Sequence, residues 1–174
     1  MSALVNELLT FSKAALGGPA IQRVAVRLRE VAECAILREK AGPVAITVDI
    51  DPDLTAWAEP ELLTRALANL VRNAVRHAGE AGPLTVSARR EADTVRLSVA
   101  DSGPGVPEES LARIFDPFYR LDESRARETG GVGLGLAIVK TCVAACQGTV
   151  TARNLTPRGL EVTIRLPAVA APTT

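Results

Sequence analysis

Gly130-Gly131-Val132-Gly133-Leu134-Gly135-Leu136-Ala137-Ile138-Val139-Lys140 places four glycines within six residues and runs from them straight into an apolar, helix-forming segment. A helix that opens at a glycine cluster presents unpaired backbone N–H groups and the positive end of its dipole, with no side chains in the way of a ligand. The stretch therefore reads as a seat for phosphate. Two familiar phosphate motifs do not fit it. A P-loop needs Gly directly before Lys-Ser/Thr, whereas Val139 precedes Lys140-Thr141, and Gly131, Gly133 and Gly135 are spaced GxGxG where a dinucleotide fold wants GxGxxG. The competing reading is a flexible linker, but a linker is not followed by Leu136, Ile138, Val139 and Val143 in a compact apolar run.

Outward from this stretch, the chain has 174 residues, enough for one main domain with its own core. Apolar residues make up 47% and charged residues 23%, the balance of a soluble globular enzyme or binding module. Lys and Arg together number 20, as do Asp and Glu, which argues against nucleic acid as the main partner. No apolar run is long enough to cross a bilayer and Met1 opens no signal-peptide pattern, so the expectation is a cytoplasmic chain without a membrane segment. Cys34, Cys142 and Cys146 form neither a CxxC pair nor a disulfide frame, and with His77 as the single histidine a zinc site would lack ligands. The cysteines read as buried small hydrophobes. Nucleophile–histidine schemes are excluded unless His77 is their base.

The second informative stretch is the helix expected from Pro60 to about Ala78. Pro60 suits the first helical position, and Glu59 and Glu61 sit where the helix dipole favours acids. At 3.6 residues per turn, Leu63, Leu67, Leu70, Val71, Ala74 and Ala78 face a core. Asn69, Asn73 and Arg76 gather on the other side, flanked by Arg65, Arg72 and His77. Two asparagines a turn apart are poor helix formers for a merely solvated face, where Glu, Lys or Gln would serve better. Asn73 could complete the shell of a phosphate-bound Mg2+, and Arg76 could pair with phosphate oxygens. Taken alone, the stretch could equally be a polar face with chance asparagines.

The remaining segments fit around these two. Ser2 to Ala15 carries Leu4, Val5, Leu8, Leu9 and Phe11 at helical spacing before Gly17-Gly18-Pro19, and reads as a short amphipathic helix ahead of a hinge. A strand is expected over Ile21 to Val26, a helix over Leu28 to Lys40 and a strand over Val44 to Ile50. Leu84 to Arg90 and Val95 to Ala100 alternate as a hairpin with one wet face. Asp101-Ser102-Gly103-Pro104-Gly105-Val106-Pro107 follows it. A carboxylate beside two glycines can take a hydrogen bond from an exocyclic amine while the backbone approaches a flat ring, although the same residues make ordinary turns. Glu108 to Ile114 is expected as a short helix. Phe115-Asp116-Pro117-Phe118-Tyr119-Arg120 holds three of the five Phe, Trp and Tyr residues and reads as a packing anchor. Asp122 to Thr129, with Arg125 and Arg127, is expected to be a lid near the phosphates. Helix Leu136 to Cys146, strands Thr149 to Ala152 and Leu160 to Leu166, and a frayed tail from Pro167 to Thr174 complete the reading.

These blocks, in this order, resemble the catalytic, ATP-binding domain of sensor histidine kinases, within the ATPase superfamily that includes Hsp90, DNA gyrase B and MutL. Asn69 to His77 is similar to the N box, Asp101 to Gly105 to the G1 box, Ile114 to Arg120 to the F box and Gly131 to Leu136 to the G2 box. The resemblance implies an α/β fold, a two-layer α/β sandwich with a mixed sheet (the Bergerat ATP-binding fold) preceded by a short helix. It divides the chain into the end of a dimerisation and phosphotransfer helix with its hinge (1–18), the catalytic domain (19–168) and a tail (169–174). Carried over, Asn73 would bind Mg2+, Asp101 would recognise the adenine amine, and Arg76, His77 and Arg120 would touch phosphates or the closed lid. Gly131, Val132, Gly133, Leu134, Gly135 and Leu136 would seat the phosphates, and Gly103, Gly105, Val106, Phe115 and Tyr119 would complete the nucleotide site. Asn69, Asn73 and Arg120 would be the catalytic residues. Glu59 stands where the family often has Asp, which implies a small loss of capping.

The resemblance also implies a two-component signal-transduction role: transfer of the γ-phosphoryl group of Mg-ATP to a histidine on a phosphotransfer domain absent from this chain, then to a response regulator. The parent protein would be a homodimer and could be anchored in an inner membrane. In hydrolysing members of the superfamily a glutamate lies four residues before the Mg2+ asparagine and activates water. Here that position is Asn69, which cannot act as a general base. The family's acceptor histidine has no counterpart, since His77 lies inside the N box. Two alternatives stand beside this reading: a nucleotide-binding interaction module without transfer activity, and an anti-sigma-type serine kinase or ATPase of the same superfamily.

Overall fold

Period-two alternation along the strands and 3.6-residue recurrence along the helices sort the chain into a sheet with helices on one face. The computed structural model describes residues 21–39, 44–78, 81–121 and 133–169. The amphipathic segment 2–15, the lid 122–129, Gly131 and Val132, and the last residues of the tail lie outside the described residues. In chain order the elements are β1 (Val24–Arg27), α1 (Leu28–Glu39), β2 (Ile46–Asp49), β3 (Thr55–Ala58), α2 (Pro60–Ala78), β4 (Leu84–Glu91), β5 (Thr94–Ala100), a 3-10 turn (Glu108–Ser110), α3 (Gly135–Ala145), β6 (Thr149–Asn154) and β7 (Leu160–Pro167). The main sheet has five strands in the order β2-β4-β5-β7-β6, with β2 parallel to β4 and the other neighbours antiparallel. It is the mixed sheet expected. β1 and β3 form a separate antiparallel ribbon.

α2 is the spine of the helical layer, with α1 and α3 both packed against it. Its start is built as the sequence suggests, and Glu59 proves a working cap: its Oε2 accepts the Leu62 N–H at 2.6 Å. The expected loss of capping is therefore not observed. Leu63, Leu67, Leu70, Val71, Ala74 and Ala78 are all buried. Most of them join Leu84, Val86, Val95, Leu97, Val99, Val162, Ile164 and Leu166 from the inner face of the sheet in one aliphatic core. Each fully buried Leu or Val there contributes about 1.5–3 kcal/mol of burial free energy. The outer face of the hairpin is polar, but it is not wet along its whole length as expected, since Ser98 is buried there. Ser98 and Thr163 share a hydrogen bond of 3.0 Å, and Arg96 lies between Glu91 and Glu161.

One strand escapes the sequence reading, and two expectations need correction. β3 gave no readable signal, because its buried residues, Ala56 and Ala58, are small and its one bulky residue, Trp57, faces outward. The helix expected over Glu108 to Ile114 is only the 3-10 turn followed by loose turns, and Pro117 bars any continuation. The tail is tied down further than expected: Pro167 pairs with Thr94, the Ala168 N–H donates to the Asp93 carbonyl at 2.9 Å, and the Val169 carbonyl accepts from Arg90.

Cys142 and Cys146 are fully buried in the core, and burial pushes the Cys142 thiol up to about 11 and raises Cys146 as well. Thiolate is the reactive form, so both are inert in the folded chain. Alkylation of the native protein is expected to modify only the half-buried Cys34, with all three cysteines reacting after denaturation; counting adducts by mass spectrometry checks this. Among the described residues no helix is long and apolar enough to cross a membrane.

Candidate functional site

α2 and α3 form two walls of a cleft of about 570 Å³, and the loops after β5 and before α3 close its ends. That volume is within the range of small-molecule sites. Asn69, Asn73, Arg76 and His77 reach it from α2, Asp101, Gly105 and Val106 from the loop after β5, Tyr119 and Arg120 from the F-box segment, and Gly133, Leu134, Gly135 and Leu136 from the start of α3. Gly103 stands behind Asp101, and Phe115 is buried in the core; neither lines the cleft. Gly131 and Val132 lie outside the described residues. Sequence reasoning did not single out Arg72 as a site residue, and it missed Pro104, Pro107, Ile114, Leu121 and Leu160. The apolar ones carry the same signal as core residues, so nothing in their pattern marks a cleft wall. A second depression, near Ile21, Trp57 and Gln147, contains none of the residues singled out.

At one end, Asp101 is fixed through a single oxygen. Its Oδ1 accepts the Gly103 N–H at 2.8 Å and the Leu160 N–H at 3.1 Å, while its own N–H donates to the Leu160 carbonyl at 3.0 Å. Oδ2 has no hydrogen-bond partner among the described residues and remains available as an acceptor. The backbone is close on two sides: a Cβ at Gly103 would lie 2.6 Å from the Ala78 Cβ, and one at Gly159 would lie 2.2 Å from the Asp101 carbonyl oxygen.

At the other end, α3 begins without a side-chain cap; its N-cap position is Leu134. The first N–H groups of such a helix have no intrahelical acceptor and offer themselves to a ligand. Gly133 holds φ at 78°, and its carbonyl accepts the Phe118 N–H at 2.9 Å, which ties the glycine turn to the F-box segment. That segment is anchored in turn by the Tyr119 hydroxyl, which donates to Ser110 Oγ at 3.0 Å, with the Arg113 guanidinium 4.5 Å above the ring centre.

The two asparagines differ. Asn69 is only 5% exposed: its Nδ2 donates to the Arg65 carbonyl at 2.9 Å and its Oδ1 accepts from Arg72, so it is not on a solvated face. Asn73, one turn on, is half-buried, and its amide has no protein partner among the described residues. Arg72 also reaches toward the Glu39 carboxylate at 3.8 Å. His77 is held below the usual histidine range, first by partial burial against the cleft and then by the positive charge of Arg76, with Arg120 adding to this and Asp101 opposing it. The imidazole is therefore neutral near pH 7. A depressed histidine binds fewer protons in the folded state than in the unfolded one, so its contribution to stability is present above the ordinary histidine pKa of about 6.5 and is lost as pH falls through the lowered value. The melting temperature without nucleotide is expected to drop between pH 7.5 and 5.5 more steeply in the wild-type chain than in His77→Gln, as read by circular dichroism.

Residues 58–170 match the family described as histidine kinase-, DNA gyrase B- and HSP90-like ATPase. The chain belongs to this family, as an ATP-binding catalytic domain of the sensor histidine kinase type. It is 34% identical to the signal transduction histidine-protein kinase BaeS of Escherichia coli K12 over 171 residues, and 36% identical to the sensor histidine kinase CpxA of the same strain over 172 residues. In both cases the match covers 96% of this chain and 37% of the relative, so the chain spans little more than a third of those proteins. Among solved structures it is similar to full-length ShkA in complex with AMPPNP, with a TM-score of 0.79 and 32% identity over 98% of this chain and 37% of that one. It is also similar to the mycobacterial sensor histidine kinase MprB, with a TM-score of 0.73 and 25% identity over 86% of this chain and all of that one, 100%.

Proposed function

We propose that the chain binds Mg-ATP in this cleft and transfers the γ-phosphoryl group to a histidine presented by a phosphotransfer domain, from which it passes to an aspartate of a response regulator. The observation that carries this reading is that the uncapped start of α3 and the unpartnered Asn73 amide line one cleft, with the open acceptor of Asp101 at its far end. Gly103, beside Asp101, packs on Ala78 and Gly135 packs on Asn69, so roughly 13 Å of α2 separates the two ends at about 1.5 Å per residue. That span suits a nucleotide whose adenine amine meets Asp101 and whose phosphates meet the helix N-terminus. Arg76 and Arg120 supply positive charge to the cleft. The site residues fit Mg2+ as a passenger on the phosphates: Asn73 offers one oxygen, and among the described residues no group of three His, Cys, Asp or Glu forms an ion cage. The ion would neutralise phosphate charge, which is most of what phosphoryl transfer asks of its surroundings. The parent protein, on this reading, is a homodimeric sensor kinase.

Incubating the chain with γ-labelled ATP, Mg2+ and a separately produced phosphotransfer domain tests this. Acid-labile label on that domain is expected. Intact ATP binding without transfer would favour an interaction module, and free phosphate alone would favour a hydrolase. Asn69→Glu is expected to raise phosphate release far less than the roughly hundredfold a positioned general base supplies, because the new carboxylate would be drawn into an ion pair with Arg72.

A further inference from the structure

The turn between β6 and β7 carries no residue that either the sequence motifs or the cleft lining singles out before Leu160, yet it grips the loop that forms the base end of the cleft. Asn154, the last residue of β6, accepts the Val106 N–H through Oδ1 at 2.9 Å and donates through Nδ2 to the Val106 carbonyl at 2.7 Å. The same Nδ2 lies 3.1 Å from Glu108 Oε2. One side-chain amide thus takes both main-chain groups of a cleft residue 48 positions away in sequence. Gly105, beside it, has φ at 76°, and a Cβ there would lie 2.6 Å from Asn154 Oδ1, so the amide is packed directly against the loop backbone. Further along the turn, Arg158 Nε donates to the Ser102 carbonyl at 2.8 Å and the Leu160 N–H reaches Asp101.

With its N–H taken by Asn154, Val106 has no donor left for a base edge, and the unpartnered Oδ2 of Asp101 is the acceptor open to an exocyclic amine. The loop Ser102 to Pro107, rich in Gly and Pro, has no strand or helix of its own to hold it. We infer that Asn154 is the positioning residue for base recognition: it sets the distance between the Gly105–Val106 wall and the Asp101 carboxylate, and through it the preference for a 6-aminopurine over a 6-oxopurine nucleotide. This rests on the nucleotide reading above. It assigns Asn154 no contact with the phosphates, and that separates a local clamp from general structural support.

Calorimetric titration of the wild-type chain, Asn154→Ala and Asn154→Asp with Mg-ATP, Mg-GTP and Mg-tripolyphosphate tests it. Asn154→Ala is expected to weaken ATP binding roughly tenfold, the worth of one or two anchoring hydrogen bonds, and to reduce the ATP-over-GTP ratio, while tripolyphosphate affinity changes less than about twofold. Asn154→Asp keeps the acceptor for the Val106 N–H but sets a carboxylate oxygen against the Val106 carbonyl and Glu108, so its ATP affinity should fall at least as far as that of Asn154→Ala. Retention of wild-type ATP affinity and base preference in Asn154→Ala, or an equal loss for ATP and tripolyphosphate, overturns the inference. A wild-type chain that binds tripolyphosphate but shows no added affinity for ATP would remove the nucleotide reading itself, and the inference with it.

Discussion

Gly133→Ala is expected to lower Mg-ATP affinity by about a hundredfold while leaving the sheet and α2 folded. The backbone at Gly133 has φ at 78°, a conformation that costs an L-residue about 1–2 kcal/mol. The added Cβ would meet the Phe118 carbonyl carbon at 2.9 Å, and the Phe118 Cα and Tyr119 carbonyl oxygen at 3.0 Å. These are main-chain atoms that cannot swing aside as a side-chain tip can. Relief comes only from moving the start of α3 away from the F-box segment, which breaks the Phe118–Gly133 hydrogen bond and turns the first helical N–H groups out of the cleft. Hydrogen bonds to a charged partner are worth about 1.5–3 kcal/mol each, so losing one or two gives the stated factor. Leu134, beside this turn, is buried in the core, so shifting the start of α3 also costs stability, but the packing of the sheet on α2 is kept and the melting temperature should fall by several degrees without loss of the fold. Calorimetry and thermal circular dichroism on the same sample separate the two effects. Unchanged affinity would mean that the glycine-opened helix is not the phosphate seat.

How much of this could be read from the sequence varied with how loudly each element is written. α2 was legible from end to end because Glu59, Pro60 and a strong apolar stripe all mark it, and the spacing of Asn69, Asn73 and Arg76 placed them on one side before any coordinates. β3 was illegible because alanines do its packing. In the F-box segment, clustering identified an aromatic anchor but could not assign its three rings. Phe115 is in the core, Tyr119 is at the cleft and Phe118 is 60% exposed, and only the backbone path, with φ at 65° for Phe118, decides among them. The two asparagines were likewise indistinguishable by residue type. What separates them is long-range: α3 covers Asn69, where a Cβ on Gly135 would come within 3.6 Å of its Oδ1, and Arg72 occupies that oxygen. The Asn154 clamp shows the same limit. A lone asparagine at a strand end carries no signal until the fold brings Val106 beside it.

The Asn73 amide has no protein partner to abandon, and this makes Asn73→Ala the cleanest separation of chemistry from folding that the site permits. Alanine is a better helix former than asparagine, and no hydrogen bond within the described residues is lost, so the melting temperature without nucleotide should hold or rise slightly. Phosphoryl transfer to a supplied phosphotransfer domain is expected to fall by at least about a hundredfold, the usual cost of removing one preorganised electrostatic contact at a reacting centre. The metal dependence identifies the cause. If Asn73 contributes an oxygen to the ion carried by the phosphates, the variant should weaken Mg-ATP binding by roughly tenfold yet leave metal-free ATP binding, measured in excess chelator, near the wild-type value. Extra Mg2+ should then recover part of the lost affinity. Asn73→Asp should behave differently, because a carboxylate facing the triphosphate repels it once the ion is removed: its metal-free affinity should fall below that of Asn73→Ala. Equal losses with and without Mg2+ for the alanine variant would place Asn73 against the nucleotide itself, and the ion would then have to be held without it.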